Sequence, residues 1–570
     1  MDPVIIVGAG PVGLALSLAL ASQGVPSVVL DEGTGKEEPR PARTVVLRAD
    51  MAAMVDRLGC ATLRDEGVRW VGWRSLRRKQ QMRHIELSLG LGGTESDDEG
   101  PAAPLHIPQH ALARGLRDAI ARQELIKLVC DARLDTIEQD ERGVTAHTRG
   151  PASGANGTWW RGSHLVGCDG ARSTVRKLLS IRFPGRTAVE RHAVAALRVE
   201  LPWPGEALLH RQPPWRGGGE EVTARPLPDG VWRIDWLLPP RGDLVTPDAL
   251  VARIRETLAG WCGGETPPYE LIDTGVHTLH HRLARRWRVD RVFLAGDAAH
   301  LLGAVGTQGL DEGLRDADNL AWKLAYAWHH GASDTLLDSY QSERRAAVAS
   351  RLRAADQSLP VLRGGGGLRT YLPGGARGHD TLLTDGHLGR GPLGAPPAYP
   401  HSPLAPQDAG ASRSAVGTGT GAPVEDVRVT APDGTTVRLR DRLGRGRLLV
   451  VLVAPGTGVW DRRHWMSAGV MPRLVEAVRA LPVKAELLVT EAYPGAVAHT
   501  VLLVRPDGHL VASFPGVRPD ELYAAADATR GGKAETTESG VASGAAKSDR
   551  TGAGGVAPRT AKSDRTADIN

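Results

Sequence analysis

Residues 4–31 read VIIVGAGPVGLALSLALASQGVPSVVLD, and this stretch decides the fold. Val4 to Val7 is a short apolar run halted at Gly8, the pattern of a buried strand entering a tight turn. Leu14 to Ala21 follows as a helix and Ser27 to Leu30 as a second strand, so a parallel sheet starts here. No charge falls between Asp2 and Asp31, and by hydropathy the stretch is long enough to cross a bilayer. Gly8, Gly10, Pro11 and Gly13 interrupt it, and no Lys or Arg precedes it as a leader requires, so strand, turn and helix are expected instead.

The turn itself carries chemistry. Gly8 permits the sharp bend, Gly10 lets a pyrophosphate approach the backbone, and Gly13 lets helix and strand pack closely. The helix N-terminus, at Pro11 and Val12, offers free N–H groups and positive potential to an anion. Asp31 ends the second strand at about the 20-residue interval expected of an acid that binds ribose hydroxyls, with Glu32 beside it. These residues point to a dinucleotide and leave NAD and FAD open.

The chain has 570 residues, which suggests roughly three or four domains. Seventy Lys and Arg against 65 Asp and Glu leave a net charge of +5, no electrostatic footprint for nucleic acid. Four scattered cysteines, Cys60, Cys130, Cys168 and Cys262, signal neither disulfides nor zinc, so a reducing cytoplasm fits. No metal site is expected: His280 and His281 point to opposite faces of a strand and read as part of a solvated basic stretch to Arg288. Hydrolase and nucleotide-triphosphatase readings have no motif to rest on. Between Arg198 and Leu238 the pattern is antiparallel β, and Asp311 to His329 is a long helix.

Two later motifs, Gly296-Asp297-Ala-Ala-His300 and Cys168-Asp169-Gly170-Ala-Arg172-Ser-Thr-Val-Arg176, each follow a buried strand. With the glycine turn they resemble the single-component FAD-dependent aromatic monooxygenases of the para-hydroxybenzoate hydroxylase-like type, in register over residues 1 to 350. The resemblance implies an α/β fold: a Rossmann-like FAD-binding domain in two parts (1–178 and 276–362) around an antiparallel β-rich substrate domain (179–275). A linker (363–420) rich in Gly, Pro and Ser then leads to an α/β domain (421–528) that resembles the thioredoxin-like appendage of the polyketide-tailoring branch. A tail (529–570), with Ala-Lys-Ser-Asp-Arg-Thr twice, reads as disordered. The appendage lacks cysteine, which excludes dithiol chemistry and leaves structural support or homodimer contacts.

The resemblance also implies site residues. Asp297 bonds the ribityl hydroxyls, Arg43 and Gln109 contact the phosphate and ribityl region, and Asp169 and Arg176 organise the FAD pocket and reductant docking. NAD(P)H docks transiently and reduces FAD; O₂ adds at C4a, and the resulting hydroperoxide delivers oxygen to a polycyclic aromatic. Gly303, Ala304, Gly306, Gln308, Gly309 and Leu310, feeding the helix at Asp311, present N–H groups to the flavin edge. Here the chain departs from the family, which has prolines after His300 and an Asn where Asp311 stands. A carboxylate at Asp311 opposes anionic flavin unless it caps the helix and points away. That departure keeps two alternatives open, Baeyer–Villiger insertion and a flavin-binding oxidoreductase or scaffold without oxygen insertion. On the substrate side, Trp203, Trp215, Trp232 and Trp236 either wall a flat pocket, with His210, Arg211 or Arg225 near a phenolate, or pack as sheet core.

Overall fold

The computed structural model describes residues 2–532 apart from 37, 61–62, 90–101, 151–156, 216–219, 240–244, 332, 363–374, 407–413 and 457–468. The tail anticipated as disordered lies almost wholly outside them, while its first residue, Thr529, ends the helix Pro519–Thr529.

Val4–Val7 is buried at every position and pairs in parallel with Ser27–Leu30 on one side and His164–Gly167 on the other. The six-stranded sheet runs Arg288–Val289, Val292–Leu294, His164–Gly167, Val4–Val7, Ser27–Leu30, Ile126–Val129. Strands buried on both faces read as continuous apolar runs, which is why this sheet was legible. Helix Pro11–Ala21, with Pro11 at its first turn, buries almost its whole surface because it packs against both this sheet and helix Gly309–His330.

An eight-stranded sheet follows the order His300–Leu301, Glu270–Leu283, Gly185–Arg198, Val231–Leu238, Glu221–Pro226, Glu206–Arg211, Gly72–Arg77, Gln80–Glu86. It crosses the boundaries expected at 178 and 275. Residues 72–86 pair with its far end, Gly72–Arg77 lying parallel to Glu206–Arg211, and Glu270–Leu283 runs without a break past 275. Side chains alternate across this sheet. Val222, Ala224, Trp232, Ile234 and Trp236 pack under helix Pro247–Trp261, which Thr246 caps by accepting from the Ala249 N–H.

The segment anticipated as a linker is structured where it is described. Helix Gly375–His387 and the turn Gly391–Gly394 bury Leu383, Leu388 and Leu393 with Trp70, Trp73, Ala304 and Val305. Glycine content concealed three leucines whose burial holds the segment in place. His280 to Arg288 is likewise no solvated stretch: His281 pairs with Asp356 at 2.8 Å and Trp287 lies in the core.

The carboxy-terminal domain has a six-stranded mixed sheet centred on Leu448–Val453, parallel to Ala485–Thr490 and antiparallel to Thr500–Val504. Helix Gly309–His330 joins it to the first domain. Leu314, Ala317, Leu320 and Leu324 enter the first core, whereas Trp322 and Tyr326 enter the second beside Leu448 and Val450. Between them Arg505 grips Glu343 through two bonds of 2.7 and 2.9 Å, and Lys323 reaches the same carboxylate at 2.8 Å. Burial alone would raise the Glu343 carboxyl, but Arg505 and Lys323 outweigh it and hold it below its usual range. Replacing Arg505 by Met leaves these buried charges incompletely paired, and chemical denaturation is expected to show a loss of about 3 kcal/mol or more. The pair Arg505→Met with Glu343→Gln is expected to recover part of that loss.

Candidate functional site

A cavity of ≈ 440 Å³ opens where the two large sheets meet the Gly309 end of the long helix. Its wall at the nucleotide end comes from the glycine turn. Gly8 sits at φ +107°, where a Cβ would lie 2.5 Å from the Cys168 carbonyl oxygen, and a Cβ on Gly13 would meet the Gly8 oxygen at 2.0 Å. Gly10 differs: it lines the cavity with nothing within 4 Å, so a side chain there would fill open space at the helix N-terminus. That open cradle fits a pyrophosphate. Pro11 and Val12 line the same wall.

Asp31 holds the turn together, accepting from the Ala9 N–H at 2.6 Å and the Gly33 N–H at 2.8 Å, and does not line the cavity; Glu32 is exposed. Arg43 and Gln109 do line it. They are brought together by the antiparallel pair Thr44–Leu47 and Leu105–Pro108, with Gln109 N–H donating to the Arg43 carbonyl at 2.9 Å. Asp297 opens on the cavity from the turn Gly296–Ala298, and the surrounding walls desolvate its carboxyl and raise it above the usual range. That turn is fixed from behind by Asp316, which accepts from the Gly296 N–H at 2.9 Å and lies 2.7 Å from His300 Nε2.

Asp169 and Arg176 stand behind the wall instead of on it. Asp169 accepts from the Thr174 and Val175 N–H groups at 2.6 and 2.9 Å, serving the start of helix Thr174–Leu178. Arg176 donates to the carbonyls of Ala298 and Ala171, each at 2.8 Å, and lies over Phe183. Arg176 thus ties the Asp297 turn to the neighbouring strand end, and Cys168 and Gly170 are the members of that motif on the wall.

Of the loop residues, Gly303, Val305, Gly306, Thr307, Gln308, Gly309 and Leu310 line the cavity, whereas Ala304 packs into the core. Val305 adopts φ +50°, the left-handed region that a β-branched residue rarely enters, and its N–H reaches Glu190 at 3.3 Å. Asp311 turns away from the cavity. Its carboxylate accepts from the Arg48 N–H at 3.3 Å and lies 3.5 Å from the Arg48 guanidinium and 3.9 Å from that of Arg315. Burial pushes Asp311 up to about 6 against these cations. Arg48 also donates to the Gly386 carbonyl at 2.8 Å and to that of Gly306 at 3.5 Å, so it fastens the loop to the 375–394 segment.

The remaining wall is the polar face of the eight-stranded sheet. Glu190, His192, Glu221, Thr223, Arg225, Arg233, Asp235 and His277 line it, and His387 enters from the 375–394 segment. Arg225 thus lines the cavity as anticipated, while Arg211 does not; it lies 3.9 Å from Glu221. Trp232 and Trp236 are on the opposite face, Trp236 donating to Thr257 at 2.9 Å. Alternation required this, because Arg233 and Asp235 sit between the two tryptophans on the strand. Trp203 and Trp215 pack edge-on against Trp261, and His210 accepts from the Trp261 indole N–H at 2.9 Å, so all three are sheet packing. The same parity is the signal that could have found Thr223, Arg233 and Asp235; no sequence pattern marks Arg48 or His387.

A family described as FAD binding domain matches residues 1–355. Rifampicin monooxygenase of Streptomyces venezuelae is 33% identical over 365 residues, covering 60% of this chain and 68% of that protein. The 3-(3-hydroxy-phenyl)propionate/3-hydroxycinnamic acid hydroxylase of Paraburkholderia xenovorans is 30% identical over 367 residues, 62% of this chain and 54% of that protein, so the chain spans about half of that relative's length. Among solved structures, the flavin-dependent monooxygenase PieE in complex with FAD and substrate superposes with a TM-score of 0.72 at 20% identity, over 93% of this chain and 98% of PieE. OxyS anhydrotetracycline hydroxylase from Streptomyces rimosus gives 0.64 at 24% identity, over 94% and 100%.

Because the Asp311 carboxyl titrates near 6 when folded and near 3.8 when unfolded, the folded state holds its proton longer. Its contribution to stability is present below about pH 4 and is lost as pH rises through about 6. Denaturation of Asp311→Asn beside the parent protein is expected to show the variant gaining relative stability across that window. Gly8→Ala is expected to lose bound FAD, read as flavin absorbance per protein after gel filtration.

Proposed function

Because the chain belongs to the family built on the FAD-binding domain, with FAD as its cofactor, we propose that it is a monooxygenase using NAD(P)H and O₂ to hydroxylate an electron-rich polycyclic aromatic. The observation that carries this reading is a single cavity shared by the Gly10–Asp297 cradle and the polar sheet face, with the Gly303–Gly309 loop between them. Bound FAD supplies electron transfer and oxygen activation.

The side chains divide the remaining work. Gly10 and the helix N-terminus receive the pyrophosphate. Arg43, Gln109 and Asp297 hold the phosphate and ribityl region. The N-terminus of helix Gly309–His330 lies on the cavity, where its positive end favours negative charge on a reduced ring. Helix Gly375–His387 and Leu393 behind it close the same end and limit water. Baeyer–Villiger insertion is the alternative that the unusual Gly303-Ala304-to-Asp311 loop favours; in that loop Gly303 lines the cavity and Asp311 turns toward Arg48.

Protein loaded with FAD, supplied with NADPH and isotopically labelled O₂ and challenged with polycyclic phenols, is expected to yield a product carrying one labelled oxygen atom. NADPH consumption that ends only in hydrogen peroxide across the panel would favour an oxidoreductase without oxygen insertion. Asp297→Ala is expected to weaken FAD binding about tenfold, roughly 1.4 kcal/mol, measured by fluorescence titration of the apoprotein.

A further inference from the structure

Val305, in the loop between the two ends of the cavity, places three demands on its surroundings. Its side chain is 1% exposed and packs with Trp70, Trp73, Leu383 and Leu393. Its backbone stands at φ +50° and ψ +38°, in the left-handed region where a β-branched residue is a steric outlier. Its N–H, buried with the rest of the residue, donates to Glu190 Oε2 at 3.3 Å. A backbone of this kind persists only where the structure around it over-determines it. Packing supplies part of that hold. A Cβ on Gly386 would lie 2.7 Å from the Val305 carbonyl oxygen and one on Gly306 would lie 2.9 Å from the His387 nitrogen, so there is no room between the loop and the 375–394 segment, and Arg48 donates to the Gly306 carbonyl. None of these contacts satisfies the Val305 N–H. Among the described residues, Glu190 is the group that accepts from it.

Glu190 reaches the loop from the eight-stranded sheet. The register of Gly185–Arg198 against Glu270–Leu283 is broken between Arg186 and Glu190, with Ala188 at φ +53°, and Glu190 is the first paired residue after the break, opposite Leu279. Irregularities of this kind re-aim a side chain beside a site. The Glu190 side chain is 3% exposed, and the oxygen that accepts from Val305 also lies 3.3 Å from His192 Nε2. Leu279, across the strand pair, touches the same loop: a Cβ on Gly303 would lie 3.2 Å from its side chain. The polar sheet wall and the flavin-facing loop are therefore joined through one carboxylate oxygen.

Resting on the monooxygenase reading of this cavity, we infer that Glu190 is a positioning residue: by accepting the Val305 N–H it holds the loop in a conformation that backbone preference disfavours, and thereby sets how the N-terminus of helix Gly309–His330 meets the flavin. Two effects of opposite sign separate this role from that of a bare charge. A carboxylate beside the flavin opposes negative charge on the reduced ring, so as a charge alone Glu190 lowers the midpoint potential and its removal raises it. As the group that holds the loop it keeps the positive helix end in place, so its removal lowers the potential.

Hydrogen exchange over residues 303–307, read by mass spectrometry on the full chain without FAD, and spectroelectrochemical titration of the FAD-loaded full chain measure the two steps separately. Glu190→Ala is expected to lose protection of the Val305 amide and to lower the FAD midpoint potential by the equivalent of about tenfold in the reduction equilibrium, ~30 mV for two electrons. Glu190→Gln keeps an accepting oxygen and is expected to retain the protection and to hold or raise the potential. Glycine carries no left-handed penalty, so Val305→Gly combined with Glu190→Ala is expected to recover most of the fall in potential. Val305→Pro keeps the carboxylate but has no N–H and cannot adopt φ +50°; it is expected to reproduce the fall, and it carries the test should Glu190→Ala fail to fold. A potential that rises or stays unchanged in Glu190→Ala overturns the assignment, as does unchanged exchange of the Val305 amide. Neither readout depends on oxygen transfer, and failure of the monooxygenase reading shows separately as absence of labelled product.

Discussion

Helix Gly309–His330 is buried from nearly every side, and that constraint organises the molecule. A helix enclosed by two cores cannot easily leave its charged residues bare, so most of the acids and bases along it recruit a partner from another element. Asp311 takes Arg48, Glu312 takes Arg344 and Arg351, Asp316 takes Arg344 and His300, and Lys323 takes Glu343. Through Glu343 the chain of charges reaches Arg505 in the carboxy-terminal domain. Replacing such groups by apolar ones could leave stability intact, so their value lies as much in fixing where the elements sit as in energy. The helix N-terminus is held at the cavity because the rest of the helix has no freedom to move.

A second constraint is the two-residue period of the eight-stranded sheet. One face carries Val222, Ala224, Ile234 and Trp236 into an apolar core; the other carries Glu221, Thr223, Arg225, Arg233 and Asp235 to the cavity. Register makes this collective. Arg225 lies opposite Arg233 and Thr223 opposite Asp235, so a slip of one residue would exchange the two faces entirely.

Local constraints were the legible ones. The glycine turn could be read because backbone approach and positive φ at Gly8 dictate residue type, and the buried strands because apolar runs dictate burial. Asp297, Arg43, Gln109 and most of the loop, expected from motif position to serve the cofactor, line the cavity. Motif position does not say which side of a wall a side chain faces, and Asp31, Asp169, Arg176, Ala304 and Asp311 all serve the backbone or the core instead. Trp232 and Trp236 were readable in principle, since parity with Ile234 assigns them to the core. His387 and Arg48 were not, because their positions follow from long-range packing of a segment whose glycine content resembled a linker.

The eight-stranded sheet is assembled from stretches on both sides of the Val4-paired strand His164–Gly167, with Gly72–Arg77 inserted beside Glu206–Arg211. His387 joins this polar face from nearly two hundred residues beyond His192, which lines the same cavity. This wall of the cavity is therefore not a cassette in the genetic sense. Exchanging any one continuous stretch with a related chain would join strands and the His387-bearing helix from different parents, so a change confined to this wall is made by point substitutions at its inward-facing positions.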